Sequence, residues 1–264
     1  MNTSDKSETP LILLTNDDGF YSEGIEVLRE EMTSRGDVYI VAPDRERSAT
    51  SQALTLHHPL RAKEVRDRVF SVDGTPADCI YLAVRALLPR PPDLVLSGIN
   101  PGPNVGQQDV SYSGTVAGAV QGGYLGIPSL AVSLIPDGNG GCHYPFTARL
   151  AARLAEAMLK GAVPPGGILN LNVPPPPIRG IRTAGLGEKR YHPEVIARRD
   201  PRNREYFWIG TGTPRAVGAP DSDVMSTRDG FATVTPLHRD LTDYRSLDGF
   251  DLDGIFKDID HEVA

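Results

Sequence analysis

The chain has 264 residues, 39% of them hydrophobic and 23% charged, which is enough to bury a full core without disulfides. A net charge of −7 argues against polymeric nucleic acid as a partner, because chains that live on phosphate backbones are usually basic. A small anionic ligand stays compatible with that charge if a metal ion supplies positive charge locally. No apolar run reaches the roughly 18 residues of a membrane span. The polar start MNTSDKSETP lacks the apolar middle of a secretory signal, so residues 1–9 are expected to be a disordered tail and the protein to be cytoplasmic. Two cysteines, Cys79 and Cys142, are too few for a disulfide framework and form no CxxC pair. They read as small buried hydrophobes.

Leu11-Ile12-Leu13-Leu14 reads as a buried strand. Ile25, Leu28 and Met32 then fall near helical spacing after Glu23, with Gly36 as the expected stop. Val38 to Val41 is a second apolar run closed by Pro43, and Phe70-Ser71-Val72 is only a short one. Thr75-Pro76-Ala77-Asp78 supplies a cap, a first-turn proline and an acid three residues on, so a helix should run from there to Leu88. Asp93 to Leu96 is a strand, Thr115 to Leu125 a small-residue helix, and Ser129 to Val132 another strand. Strands alternating with helices imply a mainly parallel sheet covered on both faces.

After about residue 136 the pattern changes. Phe146 to Lys160 reads as a helix and Ile168 to Val173 as a strand ended by four prolines. From Tyr191 to Gly210 two extended stretches flank Asp200-Pro201-Arg202-Asn203, the signature of a β-hairpin carrying Tyr206, Phe207 and Trp208. A hairpin this aromatic needs a covering partner. The expected organisation is one domain over 10–264. A Rossmann-like core over 10–136 carries the site, and 137–264 supplies the remaining core, the hairpin and a C-terminal segment.

Ligands of such sheets bind beyond the carboxyl ends of the strands. The first strand ends in Asn16-Asp17-Asp18-Gly19, the second leads to Ser48, and the Leu94 strand ends in Asn100. Two adjacent carboxylates repel, and a hard divalent cation such as Mg²⁺ or Mn²⁺ relieves this by taking oxygen ligands. Ser48 and Asn100 could add neutral oxygens. The plainer alternative is that the acids cap the next helix or make an Asx turn. Ser113-Gly114-Thr115 opens a helix whose free N–H groups suit a phosphate, unless Ser113 is simply its N-cap. Asn104, in the Gly-rich stretch SGINPGPNVG, can donate to phosphate or hold its own turn. The six histidines form no HExxH or i,i+4 pair, His57 and His58 belong to a surface segment, and no GxSxG elbow exists.

LILLTNDDGFYSEGI, VAPDRERSATSQALTL, VDGTPADCIYLAV, DLVLSGINPGPNVG and YSGTVAGA, in this order, closely resemble the survival protein E (SurE) nucleotidase family. TVTPLHRDLTDY is similar to its C-terminal segment. The resemblance spans about residues 10–245. It implies a three-layer α/β/α fold with a mainly parallel, mixed sheet, a protruding hairpin and a C-terminal oligomerisation segment, assembled as a dimer or tetramer. It also implies a metal-dependent 5′/3′-nucleotidase with one divalent ion per subunit, some members also cleaving short polyphosphate. By position, Asp17, Asp18, Ser48 and Asn100 match the metal ligands, with the acidic pair also catalytic. Asn104, Ser113, Gly114 and Thr115 match the phosphate-side loop, and Asn16 is placed with them. Tyr21-Ser22-Glu23 and the longer Gln107-Gln108-Asp109 depart from the family pattern, the second bearing on substrate preference.

The reaction expected is direct hydrolysis of a nucleoside monophosphate by a water molecule, with the general base and acid left open. Other readings are a general small-molecule phosphatase, a phosphoaspartyl phosphatase, a receiver domain and a non-catalytic nucleotide-binding module. Adjacent acids do not match the DxD of phosphoaspartyl enzymes. A receiver needs an Asp where this chain has Ser97 and Asn100.

Overall fold

The computed structural model describes residues 9–191, 195–210, 212, 215–249, 251, 252 and 255. The tail expected over 1–9 lies outside them apart from Thr9, as do His192 and His261. In chain order the elements are β1 (Leu11–Thr15), α1 (Glu23–Met32), β2 (Asp37–Pro43), β3 (Ala62–Arg66), β4 (Val69–Val72) and α2 (Pro76–Leu82). Then follow β5 (Leu94–Pro101), α3 (Gly106–Tyr112), α4 (Gly114–Tyr124), β6 (Ser129–Leu134), α5 (Tyr144–Leu159), β7 (Ile168–Val173) and β8 (Gly180–Thr183). The last are β9 (Glu188–Arg190), β10 (Val195–Arg199), β11 (Glu205–Ile209), β12 (Arg215–Val217), α6 (Asp223–Arg228) and β13 (Phe231–Leu237).

Among the described residues nine strands form one sheet in the order β3-β4-β2-β1-β5-β6-β7-β13-β8. The six strands from β4 to β7 run parallel, and β3 and β13 pair antiparallel with β4 and β7. The mixed α/β architecture is therefore the expected one, and strands from both sides of residue 136 share the sheet. β1, β6 and β7 are buried throughout, as uninterrupted apolar runs require in a sheet covered on both faces. α1 and α5 pack on one face around Ile25, Leu28, Ala151 and Ala155. α2 and α4 pack on the other against Leu13, Val95 and Ala131.

Several boundaries follow from local chemistry. Thr75 and Asp78 make the expected reciprocal capping box, and past Leu82 the helix continues as a π turn to Leu87. α1 ends at Met32, before Gly36, where a Cβ would lie 2.3 Å from the Pro10 carbonyl. Gly36 thus serves the strand entry rather than the helix stop. β5 runs on to Pro101, beyond the apolar stretch that announced it, and α5 starts at Tyr144, two residues early. Cys79 is buried as expected, but Cys142 is only partly so. β3, α3, β8, β9, β12, α6 and β13 carried no legible period. β13 was visible only inside the C-terminal motif.

The crossover β1-α1-β2 lies on one face, and the crossover β4-α2-β5 on the other. The chain therefore reverses its direction of travel between β1 and β5, which opens a crevice beyond their carboxyl ends. The residues Asn16 to Gly19 and Gly98 to Asn100 sit at that crevice.

Candidate active site

Four chain segments meet at this edge. Asn16, fully buried, shapes the first: its Nδ2 donates to the Gly19 carbonyl at 2.9 Å and to Ser22 Oγ at 2.7 Å, and its Oδ1 accepts from Gly19 N at 3.2 Å. The Asn16 amide is thereby committed to the turn that presents Asp17 and Asp18. The structure thus shows it holding the turn. Arg47 N donates to the Asp17 carbonyl at 2.7 Å, which docks the loop after β2 onto the same turn.

Asp17 is 5% exposed, and its Oδ1 accepts from Thr115 Oγ1 at 2.5 Å. The amino end of α4 lies so close that a Cβ on Gly114 would stand 2.8 Å from Asp17 Cβ and Oδ2. The close approach continues along α4, where a Cβ on Gly118 or Gly122 would meet Ser97 Oγ at 2.7 Å or Ser129 Oγ at 2.3 Å. This stripe of glycines at every fourth position faces the sheet and lets the helix lie against it. Ser113 caps α4 by accepting from Val116 N at 3.1 Å. Ser113 therefore acts as an N-cap, and Thr115 as a hydrogen-bond partner of Asp17.

Asp18 Oδ2 is buried and without a hydrogen-bond partner among the described residues. Burial, then the neighbouring charges of Asp17 and Glu46, push its carboxyl up to about 7. Asp17 is also raised, again chiefly by burial, against the lowering effect of Thr115. A partnerless buried carboxylate oxygen between two further acids is an unfavourable arrangement for the chain alone. It is the donor set a hard divalent cation requires. Asn100 gives its Nδ2 to the Gly102 carbonyl at 2.7 Å, which leaves its amide oxygen as the group to offer a cation. Ser48 is exposed, with its Oγ donating to Glu46 Oε1 at 2.7 Å, so it stands on the rim beside the acids. Among the described residues no three His, Cys, Asp or Glu side chains gather as a metal cluster; the set here is two carboxylates with neutral oxygens.

Asn104 is held from the far half of the chain. Its N–H donates to Asn172 Oδ1 at 2.8 Å, and its carbonyl accepts from Asn170 and Asn172 at 2.8 and 3.0 Å. Its own Nδ2 reaches Ser133 Oγ at 2.8 Å. The Gly-rich loop is therefore fixed by the asparagines of ILNLNV, which as a strand motif read only as polar interruptions. Buried Asp223 fastens the next stretch by accepting from Gly106 N and Gly187 N at 2.8 and 2.7 Å.

Glu46 was not singled out in the sequence, because an acid in DRER looks like any surface charge. Tyr144 was missed likewise. It is buried beside Gly24, and its phenol is raised by burial, then by Cys142 and Asp18. His57 and His58 are exposed, as expected. His143 Nε2 lies 3.3 Å from Asp137 Oδ2. Gln107-Gln108-Asp109 is helical, in α3. Lys189 Nζ and Tyr191 Oη each hold Asp109 at 2.5 Å and anchor a seven-residue helix too short to stand on propensity.

The family model described as Survival protein SurE matches residues 12–193. A 5′-nucleotidase SurE of Geobacter metallireducens is 46% identical over 239 residues, 89% of this chain and 94% of that protein. One from Pelotomaculum thermopropionicum is 46% identical over 244 residues, 90% and 92% of the two chains. The crystal structure of SurE protein from Aquifex aeolicus superposes with a TM-score of 0.79 at 38% identity, covering 92% of this chain and 99% of that one.

Proposed function

Because this chain belongs to the survival protein SurE family, we infer that it is a metal-dependent 5′-nucleotidase that converts nucleoside 5′-monophosphates to nucleoside and inorganic phosphate. The observation that carries the metal is Asp18 Oδ2, a buried carboxylate oxygen without a partner, next to Asp17 and Glu46. Asp17, Asp18, the Asn100 amide oxygen and Ser48 would hold one Mg²⁺ or Mn²⁺ per subunit, since both ions favour carboxylate, carbonyl and hydroxyl oxygens. When bound, the ion supplies the positive charge that lets a phosphate dianion approach these acids and favours attack by water. Thr115 keeps Asp17 in one orientation by donating to it, and Asn16 fixes the turn on which both acids ride. The amino end of α4 at Gly114 turns its helix dipole toward the transferred group. Nucleoside 3′-monophosphates and short polyphosphate are secondary substrates in this reading.

Release of inorganic phosphate from AMP should need Mg²⁺ or Mn²⁺, stop with a chelator and return when the metal is restored. AMP should be cleaved with a higher kcat/KM than glycerol phosphate, and duplex DNA should be left intact, because long polyanions face an acidic chain. Turnover that survives chelation would remove the metal from the mechanism. Equal kcat/KM for glycerol phosphate and nucleotides would make the protein a general phosphatase.

The partner in assembly is a second copy of the chain. β10 and β11 pair only with each other among the described residues, Ile196 opposite Trp208 and Ala197 opposite Phe207. Their side chains alternate across the two faces, yet Phe207 and Trp208 are 60% and 61% exposed. Both faces of the hairpin are thus uncovered in one subunit, and burying each such ring is worth roughly 1.5–3 kcal/mol. A symmetric partner presenting the same arm covers them. Replacing 195–209 by a short Gly-Ser turn should lower the subunit count seen by light scattering. An unchanged count, or a parent that is monomeric at micromolar concentration, would show that the arm does not assemble the protein. No helix among the described residues is long and apolar enough to cross a membrane.

A further inference from the structure

α3 joins the Gly-rich loop to the start of α4, and it cannot hold itself in place. It has seven residues, no side-chain cap from Val105 and a first glycine at φ +81°, so its position depends on what grips it. At its amino end Gln107 N donates to the Gly187 carbonyl at 2.9 Å, and Asp223 ties Gly106 N to Gly187 N. In its middle Asp109 accepts from Lys189 Nζ on Oδ2 and from Tyr191 Oη on Oδ1. The side chains of Lys189 and Asp109 are each 12% exposed, and at that depth the charge on either one needs the other. The Tyr191 phenol is raised by burial, then by Asp109, so it stays protonated and a donor through the neutral range. At the carboxyl end the only ties added by a neighbouring segment among these contacts are surface ones, from Ser51 N and Oγ to the Tyr112 and Ser111 carbonyls at 3.1 and 2.7 Å.

We propose that Asp109 is a positioning residue for phosphate release: clamped by Lys189 and Tyr191, it holds Ser113 so that Gly114 and Thr115 stay against Asp17. The effect on turnover rests on the nucleotidase reading above; the effect on α4 rests on contacts within this chain. The path is continuous. The Asp109 carbonyl accepts from Ser113 N at 2.9 Å. Ser113 in turn accepts from Val116 N on Oγ at 3.1 Å and from Ala117 N on its carbonyl at 3.0 Å, which sets the first turn of α4. That turn carries Thr115 Oγ1 to Asp17 Oδ1 and leaves Gly114 no room for a Cβ beside it. One residue therefore receives the clamp on its carboxylate and passes it on through its carbonyl. A shift of α3 along this path displaces the carboxylate that the reaction uses, and small displacements of reacting groups are costly in rate.

Amide hydrogen exchange in metal-free protein tests the path without any turnover. Asp109→Asn should speed exchange over 113–117 as well as over 106–112, by about tenfold or more. With saturating Mg²⁺ or Mn²⁺ its kcat for AMP should fall by about tenfold while KM stays within about twofold. Calorimetry should show divalent-metal affinity reduced by about threefold, as Asp17 loses its fixed orientation. Thr115→Val already lacks the bond to Asp17, so adding Asp109→Asn to it should cost less than about twofold more in kcat. Tyr191→Phe keeps the Lys189–Asp109 pair, and should show the same pattern with about a threefold loss in kcat; it decides the matter where Asp109→Asn does not fold. Parental exchange over 113–117, or parental kcat in a variant that exchanges faster, would mean that the clamp merely holds α3 and would overturn the proposal. So would losses that multiply in the double variant with Thr115→Val. A parent that releases no phosphate from AMP would overturn the nucleotidase reading instead, and exchange with metal affinity would then decide the part played by Asp109.

Discussion

Asp17→Asn and Asp18→Asn should each lower kcat by at least about a thousandfold, because in the proposed site each would remove a charged ligand of the cation on which the chemistry depends. Calorimetry should show divalent-metal affinity falling in parallel, a readout independent of turnover. The fold should survive. Asp18 Oδ2 has no hydrogen-bond partner among the described residues, so neutralising it relieves burial and repulsion rather than breaking a bond. Without metal, the Tm of Asp18→Asn should hold steady or rise, by roughly 2–4 °C for each kcal/mol relieved. The pH dependence has a definite sign. Burial, Asp17 and Glu46 raise the Asp18 carboxyl from 3.8 to about 7, so between those values the folded chain holds a proton that the unfolded chain has released. The associated stability is complete below about 4 and is lost as pH rises through about 7. Metal-free parent protein should therefore melt lower at pH 7.5 than at pH 5, and Asp18→Asn should flatten that slope. Added Mg²⁺ or Mn²⁺ should raise the parent's Tm more at pH 7.5, where the carboxylates are free to bind it. Near-parental activity in both variants at saturating metal would remove these residues from the site.

Gly114→Ala should cost about a hundredfold in kcat/KM although it adds a single methyl. The reason is contact: the new Cβ would lie 2.8 Å from Asp17 Cβ and Oδ2 and 3.1 Å from its Cγ, so either the carboxylate or the start of α4 must shift. Helix propensity acts in the opposite direction, favouring Ala over Gly by up to about 1 kcal/mol. It cannot compensate, since it leaves the reacting geometry displaced. Metal affinity should drop as Asp17 moves, while the circular dichroism spectrum keeps its parental shape. Parental kcat and metal binding in Gly114→Ala would mean that the contact between α4 and Asp17 has no part in catalysis.

The acidic pair drew attention in the sequence because adjacent carboxylates repel and a cation relieves this, with a helix cap or Asx turn as the plainer alternative. The strands β1, β2, β5, β6 and β7 and the helices α1, α2, α4 and α5 were legible for a different reason. Their hydrophobic period or capping residues are local properties, and burial on both sheet faces reinforces them. The short elements α3, β9, α6 and β13 were not, since each is held by distant partners: Asp109 by Lys189 and Tyr191, Asp223 by Gly106 and Gly187, and β13 by its antiparallel place beside β7. The same division runs through the site. Spacing along the chain pointed to Asp17, Asp18 and the segment Ser113–Thr115. Only the folded chain shows that Thr115 bonds Asp17, that Asn16 is consumed by its own turn, and that Glu46 adds a third charge. It likewise shows that asparagines 66 and 68 residues further along hold Asn104. Periodicity reports which face of an element is buried. Which polar atoms meet across elements depends on strand order and crossover, and these arise only when the whole sheet assembles.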